Sequence, residues 1–338
     1  MDSFTRNLVT EWRKLELLNE DGNMLVAVSG GADSCSLALG LAELKKRNKL
    51  QNKFIAAHFN HKIRGKESDE DAVFTESFAN DLGFEFVLGE QKEAFAEDQN
   101  LEQSARYARY NFLSKIAVEH DCSGVLTAHT QNDQAETFLL NLIRGSGIEG
   151  LSAMKPIRIF NDYLCFDNSK SPKDLFLIRP ILNWAKREDT VEFANKKGIT
   201  FRDDSMNQNI DFSRVRIRKE LLPILSSYNP KIIETLVNTS NVLAYDAEIL
   251  HSIENDVDIT SLQLLLKDLR KQKKTMLFRL LRGWLKNIRG NLKGIDQKHI
   301  SAIVSLICSE KSGSVCELPN HEKIVKKNGQ IMFVADKS

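Results

Sequence analysis

Short apolar runs punctuate the first two thirds of the chain. Met24-Leu25-Val26-Ala27-Val28, Phe54-Ile55-Ala56-Ala57-His58-Phe59, Phe84-Glu85-Phe86-Val87-Leu88, Gly124-Val125-Leu126-Thr127-Ala128 and Phe176-Leu177-Ile178 each have strand length. Between them the spacing changes to the helical period. Leu37, Leu41 and Leu44 recur at i, i+4 and i+7, and further helices are predicted from Ser68 to about Leu82, Leu101 to His120, Asn132 to Ile143 and Arg187 to Lys197. Ser68-Asp69-Glu70-Asp71 places carboxylates where a helix start favours them, and Gly83 and Gly198 close two helices. At the N-terminus, Leu8, Val9, Trp12, Leu15 and Leu17 alternate with Glu11, Arg13, Lys14 and Glu16 as an amphipathic helix. Strands alternating with helices predict an α/β fold, a parallel sheet with helices on both faces.

From about Tyr228 the pattern is mainly helical. Leu264-Leu265-Leu266, Met276, Leu277, Leu280, Leu281, Trp284 and Leu285 stand at helical spacing and read as core. The tail reads as a small β-hairpin around Asn328-Gly329. Two domains are expected, residues 1–222 and 223–338, with Asn161–Lys173 as a polar surface loop.

Composition narrows the class. The chain has 338 residues and a net charge of +1, and no apolar run approaches a membrane span. Its five cysteines, at 35, 122, 165, 308 and 316, form no Cys-x-x-Cys pair, which suits a reducing, cytoplasmic setting. Basic residues outnumber acidic ones from about residue 211 onward. Arg214, Arg216, Arg218 and Lys219 begin that region, which reads either as a nucleic-acid contact or as a solvated helix face.

Ligands of such sheets bind beyond the carboxyl ends of the strands, so the residues there carry the candidate chemistry. Ser29-Gly30-Gly31-Ala32-Asp33-Ser34 follows the first strand and opens a helix. Its glycines permit close backbone approach, and its hydroxyls and helix-start amides are donors for a phosphate. No Gly-Lys-Ser/Thr follows, so it is not a Walker A loop. It resembles the PP-loop of the nucleotide alpha-hydrolases, which cleave ATP between its α and β phosphates. His58-Phe59-Asn60-His61-Lys62-Ile63-Arg64-Gly65 is a second polar cluster at a strand end. In Leu101–Tyr110, Arg106 either pairs with Glu102 or, with Arg109, projects toward phosphate. His129, Asp133 and Glu136 are spaced i, i+4, i+7 at a helix start, one face bearing three ionisable groups. Arg144-Gly145-Ser146-Gly147 reads as a helix cap or a phosphate contact, and Asp203-Asp204-Ser205-Met206-Asn207 as an acidic turn.

In this order, these blocks closely resemble the tRNA(Ile)-lysidine synthetase family. The matching blocks are Ser29–Ser34, His58–Gly65 with Glu67-Ser68-Asp69, Leu101–Leu113, Thr127–Leu151, Arg179–Leu182 and Asp203–Leu222, spanning most of residues 24–225. The resemblance implies a PP-loop fold, a helical tRNA-contacting second domain and a short form without the family's extra C-terminal domain. It implies that ATP adenylates C2 of the wobble cytidine in a CAU anticodon, after which L-lysine displaces AMP. Ser29, Gly30, Gly31, Ala32, Asp33, Ser34 and Arg106 would then bind ATP, with Asp33 also holding Mg²⁺. Asp33, His129 and Asp133 would be catalytic. Asp133 and Glu136 would bind lysine, and Arg144, Arg214, Arg216 and Arg218 would bind tRNA. A homodimer is the candidate assembly, with no membrane partner. The chain departs from the family pattern at Asn132, where an aspartate is usual, and at Val215, where a polar residue is usual. The rivals are a tRNA thiolase, an ammonia-using amide-forming enzyme and a non-catalytic tRNA-binding protein.

Overall fold

The structure is a computed structural model, and it describes residues 1–17, 22–91, 101–160, 174–202, 213–253 and 258–335. The expected loop Asn161–Lys173 and the turn Asp203–Asn207 lie outside the described residues. The chain divides into two compact units, Met1–Tyr245 and Asp246–Ser338.

The first unit begins with α1 (Ser3–Lys14), capped by Asp2, whose Oδ1 accepts from the Phe4 amide at 3.1 Å. The alternation then follows: β1 (Asn23–Ala27), α2 (Ala32–Lys46), β2 (Lys53–Asn60), α3 (Lys66–Asp81), β3 (Glu85–Glu90), α4 (Leu101–Glu119), β4 (Cys122–Leu126) and α5 (Gln131–Ile143). After α6 (Ile148–Leu151) come β5 (Ile157–Ile159), β6 (Phe176–Ile178) and α7 (Arg187–Lys196). Next are α8 (Ser213–Arg216), a π-helical turn at Ile217–Leu221, α9 (Leu222–Tyr228) and α10 (Ile232–Ile253).

Among the described residues these strands form a six-stranded sheet in the order β3-β2-β1-β4-β6-β5. All neighbours run parallel except β5, an antiparallel edge strand on β6. The sheet is therefore mixed at one edge rather than wholly parallel. Both faces are covered, as the near-continuous apolar runs require. One face packs Met24, Val26, Phe54 and Ala56 against Leu8 and Trp12 of α1, Leu37 and Leu41 of α2, and Phe193 of α7. The other packs Leu25, Ile55, Ala57 and Val125 against Tyr110, Leu113 and Ala117 of α4. Phe4 stacks on Phe193 with centroids 4.5 Å apart, tying α1 to α7.

The sequence placed the domain change at 222/223, whereas the compact units divide at 245/246. Leu222, Leu225, Ile233, Leu236 and Leu243 pack with Ala135, Phe138 and Leu139 of α5, so α9 and most of α10 share the first unit's core.

The second unit contains β7 (Gln263–Leu265), α11 (Leu266–Leu269), α12 (Lys274–Arg289), α13 (Gln297–Cys308), β8 (Val315–Glu317), β9 (Glu322–Lys327) and β10 (Gln330–Ala335). Leu277, Leu280, Leu281, Trp284 and Leu285 form its core with Ile300, Ile303 and Ile307. The expected hairpin is present as β9–β10, turning at Asn328 and Gly329, both at positive φ. It is the centre of a larger sheet, because β7 and β8 add to its edges in the order β7-β10-β9-β8.

Candidate functional site

In the first unit's sheet, β2 and β3 lie to one side of β1, while β4 and β6 lie to the other. The strand order therefore reverses between β1 and β4, and a crevice opens beyond their carboxyl ends. A cavity of about 480 Å³ occupies that place. Its wall is supplied by the turn after β1, the end of β2, the start of α3, the face of α4, the β4–α5 turn, α7 and α8 with the π-turn. That volume falls within the usual range of small-ligand sites.

The phosphate loop is built as the sequence suggests, but its hydroxyls are tied to one another. Gly30 has φ +85°, a conformation costly for any side chain, and Gly31 caps α2 without a side-chain hydrogen bond. The first α2 amides consequently point out of the helix end, as an anion requires. Ser34 Oγ accepts from the Ser29 amide at 3.1 Å, donates to the Gly31 carbonyl at 3.0 Å, and lies 3.1 Å from Ser29 Oγ. The Gly30 carbonyl accepts from the Arg202 amide at 2.9 Å, while the Arg202 side chain pairs with Glu70 at 2.7 Å and Asp71 at 2.8 Å.

Asp33, in the first turn of α2, is held from α7. Thr190 Oγ1 donates to its Oδ1, and Arg187 Nη2 lies 3.5 Å from its Oδ2. Burial raises the Asp33 carboxyl above its ordinary range, opposed by Arg187 and Thr190 and reinforced by Asp133. Two carboxylates thus press on the same small space. Among the described residues no group of three or more His, Cys, Asp or Glu side chains is arranged to hold a metal ion. Mg²⁺ needs fewer, because one or two carboxylates plus substrate phosphates suffice. Asp33, destabilised as an anion beside Asp133, fits that role.

His129 stands in the turn between β4 and α5 rather than in the helix, which starts at Gln131 with Thr130 as its cap. The reason is local. Asp133 Oδ2 accepts from both the Thr130 amide at 2.8 Å and Thr130 Oγ1 at 3.0 Å, fixing the helix start one residue beyond His129. The spacing argument nevertheless brings His129 beside Asp133. Burial pushes the His129 imidazole far below its ordinary value, with Asp133 opposing and Arg179, Arg106 and Arg109 assisting. Burial alone would raise Asp133, but His129, the Thr130 donors and Arg187 outweigh it and hold the carboxyl low. Neutral imidazole beside carboxylate is the resulting state. Thr127 Oγ1 lies 2.9 Å from His129 Nδ1 and fixes the ring.

Glu136 is one turn further along α5, and its side chain is only 2% exposed. Arg218 grips it with both forks, Nε to Oε1 at 2.6 Å and Nη2 to Oε2 at 3.0 Å. The sequence assigned these two residues to different ligands, lysine and tRNA; the fold joins them in one ion pair. The π-turn that carries Arg218 has a covalent cause. Pro223 lacks an amide hydrogen and its ring clashes with the carbonyl four residues back, so the helix widens before it. Arg214 also lines the cavity. Arg216 is turned outward, 63% exposed and 3.6 Å from Glu220, and Arg144 is exposed at the end of α5. Val215 is buried in the cavity wall. Arg106 and Arg109 line the cavity, their guanidinium carbons 4.6 Å and 5.3 Å from the centre of the Tyr110 ring. Glu102 has no described side chain, so the alternative salt bridge lies outside the described residues.

Sequence reasoning passed over Arg187 and Thr190. A basic residue in the first turn of α7 runs against the helix dipole and was the available signal for Arg187. Asn132, the departure from the family pattern, ties α5 to the start of α7, because its Oδ1 accepts from the Arg187 amide at 3.0 Å.

A family model described as a PP-loop domain matches residues 4–225. The chain belongs to the PP-loop family. Among its PP-loop relatives is the tRNA(Ile)-lysidine synthase of Geobacter sulfurreducens, 34% identical over 92% of this chain and 64% of the relative. That of Clostridium tetani is 29% identical over 94% of this chain and 66% of the relative. This PP-loop chain thus spans just under two thirds of the length of those curated relatives. Among solved structures, the U34-tRNA thiolase NcsA of Methanococcus maripaludis matches with a TM-score of 0.57 and 18% identity, over 71% of this chain and 78% of that one. That likeness concerns the fold. No helix among the described residues is long and apolar enough to cross a membrane.

Proposed function

We propose that this chain catalyses ATP-dependent ligation of L-lysine to C2 of the wobble cytidine of tRNA(Ile) with a CAU anticodon. The reaction passes through an adenylated cytidine and releases pyrophosphate and AMP. The observation that carries the reading is the convergence, in one cavity, of the phosphate loop with His129, Asp133 and a buried Glu136. The names of the curated relatives agree with it.

The residues divide the work. Ser29–Ser34 and the α2 amides hold the pyrophosphate end of ATP. Arg106 meets the AMP moiety, where a planar guanidinium gives paired hydrogen bonds to phosphate. When bound, Mg²⁺ offsets phosphate charge, and Asp33 is its ligand. Lysine must lose a proton before its ε-amine attacks. His129 is the acceptor assigned to that proton: burial weakens its basicity, and the charge of the adjacent Asp133 opposes this by stabilising the imidazolium formed. Glu136, oriented by Arg218, supplies the negative charge for the amino acid. The target base leaves the anticodon stack to reach C2 chemistry in such a cavity. Contact with the tRNA backbone falls to the outward Arg144 and Arg216, with Arg214 at the cavity wall.

Among the described residues Cys35, Cys122, Cys308 and Cys316 all lie outside the cavity wall, which favours ligation over thiolation. The test is transfer of labelled lysine to a CAU tRNA transcript with and without ATP. Label in tRNA only with ATP, matched by AMP, is the expected result. ATP cleavage without lysine transfer refutes the proposal.

A further inference from the structure

One cation in the cavity wall is fixed at its backbone and loosely held at its tip. Arg187 opens α7, and its amide donates to Asn132 Oδ1 at 3.0 Å, which ties the backbone to α5. Its neighbour Lys186 pairs with Glu234 of α10 at 2.6 Å, and one turn on the Thr190 carbonyl accepts from Ser36 Oγ of α2 at 2.6 Å. The guanidinium has no such hold. Nη2 lies 3.5 Å from Asp33 Oδ2, the outer limit of a hydrogen bond, and among the described residues Nε and Nη1 have no hydrogen-bond partner. Other arginines of the same wall are committed. Arg218 holds Glu136 with bonds of 2.6 Å and 3.0 Å, and Arg64 lies 2.5 Å from Asp71. The Arg187 side chain is 35% exposed.

Asp33 lines the cavity with Ser29 and Ser34, so the guanidinium that meets it stands at the phosphate-loop end. Its charge favours the ionised forms of Asp33, Asp133 and Glu136 alike. Those carboxylates are the groups assigned above to Mg²⁺ and to lysine. Arg187 thus supplies, in the free protein, positive charge that the bound cations supply later. Their arrival repels it from Asp33, and the helix dipole behind it is positive too. The anion that arrives with them is the triphosphate. A planar fork with unused donors suits phosphate oxygens better than the single long contact it leaves.

We propose that Arg187 is a phosphate-binding residue that leaves Asp33 when ATP binds, donates to the β and γ phosphates, and stays with them as pyrophosphate departs. The proposal rests on the cavity being the ATP site. In the adenylation the C2 oxygen bonds to the α-phosphorus while the bond from that phosphorus to the bridging oxygen breaks. The electron pair stays on pyrophosphate, and Arg187 meets the added charge without giving up a proton. The same movement uncovers Asp33 for the metal ion.

The test is calorimetric binding of ATP, AMP and pyrophosphate, each with excess Mg²⁺, to the full chain and to Arg187→Gln, which removes the charge and keeps a polar side chain. The variant is expected to bind ATP and pyrophosphate at least about tenfold more weakly, the scale of a lost charge-assisted hydrogen bond, and AMP as wild type does. A mere counter-ion of Asp33 gives the opposite sign, because its removal frees the carboxylate for Mg²⁺ and pyrophosphate then binds as well or better. That result overturns the proposal, and so does an equal loss for all three ligands, which marks general damage to the site. Phenylglyoxal labelling of wild type, mapped by mass spectrometry, needs no variant and decides alone if Arg187→Gln does not fold. Arg187 is expected to be labelled in the free protein and shielded by pyrophosphate but not by AMP. No labelling of Arg187, or labelling that pyrophosphate leaves unchanged, also overturns the proposal. Wild type that binds neither ATP nor pyrophosphate overturns the ATP reading itself, and the role of Arg187 with it.

Discussion

Arg218→Ala would strand a carboxylate whose side chain is 2% exposed. Removing one partner of a buried pair usually costs about 3–5 kcal/mol. Here the loss has a ceiling, because Glu136 escapes by taking up a proton. Burial already raises its carboxyl, with Arg218 opposing, so loss of Arg218 pushes it higher still. The folded variant then holds neutral glutamic acid, while the unfolded chain holds an ionised one. At pH 7.5 that difference spans three units above the ordinary glutamate value of 4.5. At about 1.4 kcal/mol per unit the ceiling is about 4 kcal/mol. At pH 5.5 only one unit remains, and the ceiling falls to about 1.4 kcal/mol. The sign is fixed: a carboxyl raised in the folded state destabilises above its unfolded value, and the penalty is relieved as pH falls. Urea unfolding of wild type and Arg218→Ala at both pH values measures this. The expected loss is about 2–4 kcal/mol at pH 7.5 and about 1 kcal/mol at pH 5.5. Adding Glu136→Gln should remove most of the pH dependence. A loss of the same size at both pH values would mean that charge burial is not what Arg218 relieves.

Asp33→Asn should keep the Thr190 contact and the fold but abolish ATP cleavage in the presence of lysine and tRNA; turnover near wild type would remove Asp33 from the chemistry. Glu136→Gln should raise the KM for lysine at least tenfold while changing that for ATP far less, and the reverse pattern would move Glu136 to the nucleotide. His129 is held neutral far below the ordinary histidine value by burial, so its base form is fully present from about pH 6 upward. The profile of kcat/KM should therefore show no His129 inflection near pH 6.5, and an acid limb there that His129→Asn abolishes would contradict the assigned state.

What could be read in advance was what is local. The phosphate loop needs only a strand, two glycines and a helix start, all contiguous. β1, β2 and β4 are buried on both faces, so their apolar runs are unbroken. β5 went unseen, and Leu264 and Leu265, read as helical core, lie in β7, because three residues carry too little alternation to tell strand from helix; the equally short Phe176-Leu177-Ile178 of β6 stood out only as an unbroken apolar run. The site's pairings were beyond reach for a different reason. Glu136 and Arg218 are 82 residues apart, and their meeting depends on a π-turn that only the backbone reveals. His129 was placed on one face of a helix start because spacing alone cannot say that Thr130 takes the cap.

The grip of α7 on Asp33 also bears on how the protein is made. Arg187 follows Asp33 by 154 residues. At roughly 5–20 residues per second, the ribosome needs about 8–30 s to supply it. During that interval the nascent chain has its glycine turn but no guanidinium or threonine hydroxyl to set the aspartate. The strands that complete the sheet beside β1 are also late, since β4 pairs with β1 and β6 with β4. The oldest part of the emerging chain thus gains its working geometry from one of the youngest parts of its own unit. A ribosome stalled before residue 187 would display a phosphate loop that is complete in sequence and unfinished as a site.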